Sequence, residues 1–148
     1  MWVELGHFCL ILDSMLALFC GLAGLIGGAQ QINSLLAPVR MATLLIAALL
    51  AASFAALTYA FVVDDFSVRY VAAHSNSLLP LFYKVAAVWG GHEGSLLLWV
   101  LMLAFWAAAV SLLSHGLPER LQMLVPAVLA LLGLGFLLFI LLTSNPFE

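Results

Sequence analysis

The residues of this chain best equipped for chemistry stand between two tryptophans, in the run Trp89-Gly-Gly-His-Glu-Gly-Ser-Leu-Leu-Leu-Trp99. An imidazole (His92), a carboxylate (Glu93) and a hydroxyl (Ser95) fall within four positions, where a polar stretch enters a long apolar one. Such groups can share a proton, hold a metal or orient a ligand. Ionisable residues at membrane depth are costly and mostly face a protein interior, a cavity or a partner. Two familiar chemistries fail on spacing. A zinc helix of the HExxH type needs a second histidine where Leu96 stands, and Ser95 lacks the GxSxG elbow of a serine nucleophile. No metal ligand and no catalytic residue is assigned. If a helix starts near His92, then His92, Trp99 and Trp106 repeat every seven residues and share one face. That face suits a flat aromatic ligand. It also suits packing or an interfacial belt, because tryptophan favours bilayer edges, although Trp106 sits deep for a belt. Gly90, Gly91 and Gly94 are expected to supply backbone conformations closed to other residues, for a sharp turn out of a surface helix at Leu81–Val88.

The elements that position this segment are membrane helices. Of 148 residues, 66% are hydrophobic and 7% charged, with a mean hydropathy of +1.23. A soluble domain carries about 25% charged residues, so this chain cannot dress a water-facing surface. Its net charge of −3 leaves no basic footprint for nucleic acid. The expected fold is all-α and integral to the membrane. Four runs can span, at 6–28, 41–63, 95–113 and 121–142, with a helical or looped outer segment at 64–94. The leader Met1–His7 lacks Lys and Arg, so the first run is expected to stay as a helix and not be cleaved as a signal. An even number of spans puts both ends on one side. Arg40 adjoins a span and Arg120 sits in a short loop, whereas Arg69 and Lys84 are diluted in the 64–94 segment. The positive-inside rule then places both termini and residues 64–94 on the periplasmic side. Of the four histidines, His7, His74, His92 and His115, each is assigned to a different loop, His115 on the opposite side from the rest.

Small residues mark the packing faces. Asp13, Ala17, Cys20, Gly24 and Gly28 form one stripe of the first span, the two glycines making a GxxxG pair that permits close helix approach. Ala48, Ala52, Ala56 and Ala60 are expected to do the same in the second. Cys9 and Cys20 lie roughly 16 Å apart along the helix, too far for a disulfide. Asp13 is the one acid well inside a span. It is either a structural polar contact or a proton-handling group. Pro126 falls early enough in the fourth span to be tolerated.

The run from Phe61 to Trp99, with its WGGHEGSLLLW block, resembles the amino-terminal region of the CcmF family, the haem lyases of cytochrome c maturation. The ending Gly135–Phe147, GFLLFILLTSNPF, resembles the same family just past its fourth helix. A related branch serving nitrite reductase maturation shares the pattern. The resemblance covers essentially the whole chain, and Trp89, Gly90, His92, Glu93, Gly94, Ser95 and Trp99 match the family block. It implies a bacterial inner-membrane protein that receives haem from a periplasmic haem chaperone. With a thiol-handling subunit, that protein helps attach the haem to the CxxCH thiols of apocytochrome c. Haem b is the implied cofactor of the complete protein. The family's tryptophan-rich WWD segment and its haem histidines have no counterpart here, and His74 stands where the family is expected to carry Asn. The expectation is therefore a four-span fragment or split subunit of a haem lyase that binds no haem and catalyses nothing alone, and works with the remainder of the enzyme. The alternative, from another class, is a small autonomous membrane scaffold or ion-handling subunit using Asp13 and Glu93.

Overall fold

The computed structural model describes residues 2–30, 32–113 and 116–147. It contains six helices and, among the described residues, no strand: α1 (Trp2–Gln30), α2 (Leu36–Val62), α3 (Arg69–His74), α4 (Leu81–Ala87), α5 (His92–Leu113) and α6 (Glu119–Thr143). A 3-10 turn at Asn33–Leu35 leads into α2. Four of these, α1, α2, α5 and α6, are long and apolar enough to cross a membrane. Each exceeds its hydropathic run by a few residues, because helical hydrogen bonding continues past the apolar core into the interface. Pro80 and Pro118 immediately precede α4 and α6, where a missing amide proton costs nothing. Pro126 lies inside α6 without ending it.

The four long helices form a bundle. α1 packs against α2 and α6, and α5 packs against the same two from the opposite corner. The polar–small stripe of α1 is the seam: Asp13, Ala17, Cys20, Gly24 and Gly28 are all buried. A Cβ on Gly24 would stand 2.5 Å from Ala127 Cβ and 2.7 Å from the Met123 carbonyl oxygen, and one on Gly28 would strike Leu124. The glycines thus let α1 and α6 approach to backbone contact.

The alanine stripe of α2 holds only in part. Ala56 and Ala60 are buried, but Ala48 and Ala52 are exposed. Steps of four residues advance about 40° past a full turn, so the stripe drifts off the interface. The buried face follows Val39, Thr43, Ile46, Leu50, Ser53 and Leu57 instead.

Hydrogen bonds tie the bundle at both ends. At one end Arg40 donates to Gln122 Oε1 at 2.8 Å, and Gln122 Nε2 donates to the Leu117 carbonyl at 2.8 Å. At the other, hereafter the polar end, Ser53 donates to the Gly6 carbonyl at 3.0 Å. Between them a slot of about 20 Å3, lined by Cys20, Thr43, Ile46, Leu50, Ala104 and Gly133 among others, is the size of a single water.

Gly24→Ala is expected to destabilise the bundle by roughly 1–3 kcal/mol through overpacking. Gly133→Ala, which meets open space, should cost far less. Reversible unfolding in mixed micelles checks this, and equal losses for the two variants would refute backbone contact as the α1–α6 constraint.

Candidate functional site

The segment between α2 and α5 folds over the polar end. Asp64 turns the chain out of α2 with a φ of 56°, a left-handed conformation that Asp tolerates better than most residues. Its Oδ2 accepts a hydrogen bond from Lys84 Nζ at 2.8 Å, which pins α4 back onto the end of α2. Asp65 accepts from the Ser67 hydroxyl and so shapes the next turn. Asp64 is thus part of a structural ion pair.

Tyr70, on α3, organises the WGGHEG turn. Its hydroxyl donates to the Val88 carbonyl at 2.8 Å and accepts from the Gly91 amide at 3.1 Å. Burial pushes the Tyr70 phenol pKa upward, with the amides of Gly91 and Gly94 opposing, so the proton needed for donation stays in place at neutral pH. A Cβ on Gly91 would stand 2.6 Å from His74 Nε2, and one on Gly94 would overlap the Val88 carbonyl oxygen and lie 2.5 Å from the Tyr70 hydroxyl. None of the described glycines has a positive φ. Gly91 and Gly94 are therefore required for close approach to Tyr70 and the preceding turn, in place of the special backbone angles expected from sequence. Gly90 has room for a side chain. Ser95 donates to the Trp89 carbonyl, closing the turn from its helical side.

The TSNPF ending returns to this same place. His92 Nε2 lies 2.9 Å from Ser144 Oγ, and the His92 ring stands edge-on to Phe139 with centroids 5.9 Å apart. Asn145 Nδ2 lies 3.0 Å from His7 Nδ1, while its Oδ1 accepts from the Phe147 amide at 2.9 Å. That turn lays the Phe147 ring on Gly6. A polar cleft of about 190 Å3 results, lined by Arg69, Tyr70, His74, Glu93, Ser144 and Asn145 among others. It brings a guanidinium, a carboxylate, an imidazole and an amide to one opening.

Comparisons with known proteins bear on what this arrangement belongs to. No family model matches the chain. It is 51% identical to the cytochrome c-type biogenesis protein CcmF of Pseudomonas aeruginosa over 148 residues, covering 98% of this chain and 22% of that one. It is 44% identical to CcmF of Escherichia coli K12, covering 100% and 23%. The chain belongs to the CcmF family. It spans about a quarter of the length of the curated relatives it matches. The cytochrome c-type biogenesis protein NrfE of Haemophilus influenzae is 40% identical, covering 97% of this chain and 23% of NrfE. A solved cytochrome c haem lyase CcmF superposes with a TM-score of 0.93 at 28% identity, covering all of this chain and 25% of that one.

Against the CcmF block, the structure places Trp89, Gly90, His92, Glu93, Gly94, Ser95 and Trp99 on one turn and the start of α5. Glu93 lines the cleft; Trp89 and Trp99 are exposed outside it. Trp99 and Trp106 project outward from α5, whereas His92 turns its ring to Phe139 and Ser144. The histidines are not confined to separate loops: His7 lies within α1, His92 opens α5, and the two meet neighbouring residues of the 143–147 segment. His115 lies outside the described residues. His74, at the end of α3, directs Nδ1 to the Tyr70 carbonyl at 3.0 Å and stacks on its ring with centroids 4.5 Å apart.

Tyr70 and Lys84 carry the site, yet the sequence marks Lys84 only as a charge in the orientation count and does not mark Tyr70. Their partners lie 18 to 21 residues away, beyond any helical or turn spacing. The described histidines do not converge on one site for haem, the cofactor the family implies. Each described histidine has a ring nitrogen engaged with protein, each lines a different cavity, and no cluster of three His, Cys, Asp or Glu side chains occurs among the described residues.

Tyr70→Phe leaves the Val88 carbonyl and Gly91 amide without their partner, at a cost of about 1–3 kcal/mol. It should sharply increase protease cleavage between residues 64 and 91. Because the folded phenol titrates above its ordinary pKa of about 10, the contribution is present below that pH and is lost as pH rises through the higher folded value. A wild-type cleavage pattern in the variant would show that the tie does not hold the segment.

Proposed function

We propose that this chain is a four-span membrane fragment or split subunit of a CcmF-type haem lyase, and that its polar end forms part of the surface where haem meets apocytochrome c. The observation that carries the reading is convergence. The two sequence blocks that resemble the family, WGGHEGSLLLW and TSNPF, lie some fifty positions apart yet meet at His92 and Ser144. On this reading the polar end faces the periplasm, and residues 64–91 and 144–147 shape the docking surface. Haem itself is held elsewhere in the complete enzyme. The partners are the remainder of the lyase, a periplasmic haem chaperone, and apocytochrome c with its thiol-handling subunit.

The long helices support a role in completing a larger assembly. α5 presents Trp99, Met102, Phe105 and Trp106 outward, and α1 presents Phe8, Met15 and Phe19. These faces are suited to lipid or to further helices, and to no aqueous partner.

The test is a pull-down of the tagged chain from solubilised membranes, read by the haem spectrum of the eluate. Haem is expected only when a larger lyase subunit co-purifies. Haem on the isolated chain would mean that one of these histidines ligates it. In cells, replacing Trp89, His92 or Glu93 should lower holocytochrome c while membrane levels of the protein hold. Normal holocytochrome in all three variants would remove the block from the reaction.

A further inference from the structure

We propose that Asp13 is a proton-binding site inside the membrane bundle, reached from the polar end along Cys9, Ser53 and Gly6. Asp13 is wholly buried, and neither carboxylate oxygen has a hydrogen-bond partner in the protein. An ionised carboxylate in that position needs a compensating charge, because an isolated charge in an apolar interior is prohibitively costly.

None of the packed elements supplies one. On α2 the only cation is Arg40, which is bound to Gln122 at the opposite end, and Tyr59 is exposed. On α5 the ionisable groups are His92 and Glu93 at the polar end, with none from Gly94 to Leu113. On α6 they are Glu119 and Arg120 at the far end, with none from Leu121 to Thr143. On α1 itself Cys9 lies one turn away, within electrostatic reach and beside the Ser53 hydroxyl. The carboxyl therefore holds its proton, and the proton has an exit. Ser53 donates to the Gly6 carbonyl at 3.0 Å, Gly6 is covered by the Phe147 ring, and the adjoining His7 meets Asn145 at the surface. Asp13 to His7 is under two helical turns, about 9 Å. Cys9, Ser53 and the Gly6 carbonyl mark the direct route from the surface to the acid, and Phe147 closes its outer end.

The experiment is infrared difference spectroscopy of the full-length protein in lipid nanodiscs, wild type minus Asp13→Asn. The expected result is a protonated-carboxyl stretch near neutral pH that is lost in the variant and shifts down in heavy water, more slowly once Cys9 and Ser53 are both replaced by Ala. Should the Asn variant fail to accumulate, Asp13→Glu keeps the test open, since the band should then move in position. Absence of the band in the wild type would overturn the proposal. So would a band that never shifts in heavy water, since that acid exchanges no proton with the surface.

Discussion

One phenolic hydroxyl holds the polar end together. Between α4 and α5 the backbone makes a turn in which neither strand nor helix can absorb the Val88 carbonyl and the Gly91 amide. Tyr70 takes both. A hydroxyl can donate once and accept, so a single side chain satisfies two groups of opposite sense that lie three residues apart. The demand then spreads. Tyr70 must come close enough to touch backbone, so Gly91 and Gly94 cannot carry side chains. With the turn fixed, α5 starts at His92 in the one rotation that faces its imidazole to Ser144. The position of the whole WGGHEG block therefore descends from a residue some twenty positions upstream.

This hierarchy explains what the sequence made legible. Hydropathy alone located all four spans, because apolar length is a local property and the bilayer imposes it. The α1 stripe is equally readable, since its members fall at helical spacing and its glycines do meet α6. The α2 alanines misled because a four-residue step looks periodic over one or two turns and drifts off the face over three. Gly91 and Gly94 were recognised as necessary for the wrong reason. Composition shows that a glycine is needed but not whether backbone angle or proximity demands it. The roles of Lys84 and Tyr70 are not legible because their partners are set by tertiary folding. The meeting of His7 and His92 with residues 144–147 follows only from the antiparallel return of α6.

The polar groups of the bundle are distributed unevenly along its length. Arg40 and Gln122 tie one end. At the other, Lys84–Asp64, Tyr70, His92–Ser144 and His7–Asn145 share the work. The middle is sealed by close packing of small residues, the device available where hydrophobic burial offers no advantage over lipid. Such a bundle is stiffest where its helices touch backbone to backbone and most open to adjustment at the polar end, where the contacts are hydrogen bonds and one ion pair.

Asp13 departs from that economy. An unpartnered carboxyl in the packed seam forfeits hydrogen bonds that water would supply, and a similarly sized apolar side chain would fill the space without that loss. Ser111 Oγ is buried without a partner, but Thr43 donates to the Val39 carbonyl at 2.8 Å and Ser53 to that of Gly6. Asp13 has no such local outlet, because a carboxyl must either keep its proton or find a donor, and the surrounding helices offer no donor. Packing therefore does not account for the residue. What distinguishes it from any apolar substitute is the ability to take up and release a proton, and the small polar groups between it and His7 lie on the side from which a proton would have to come.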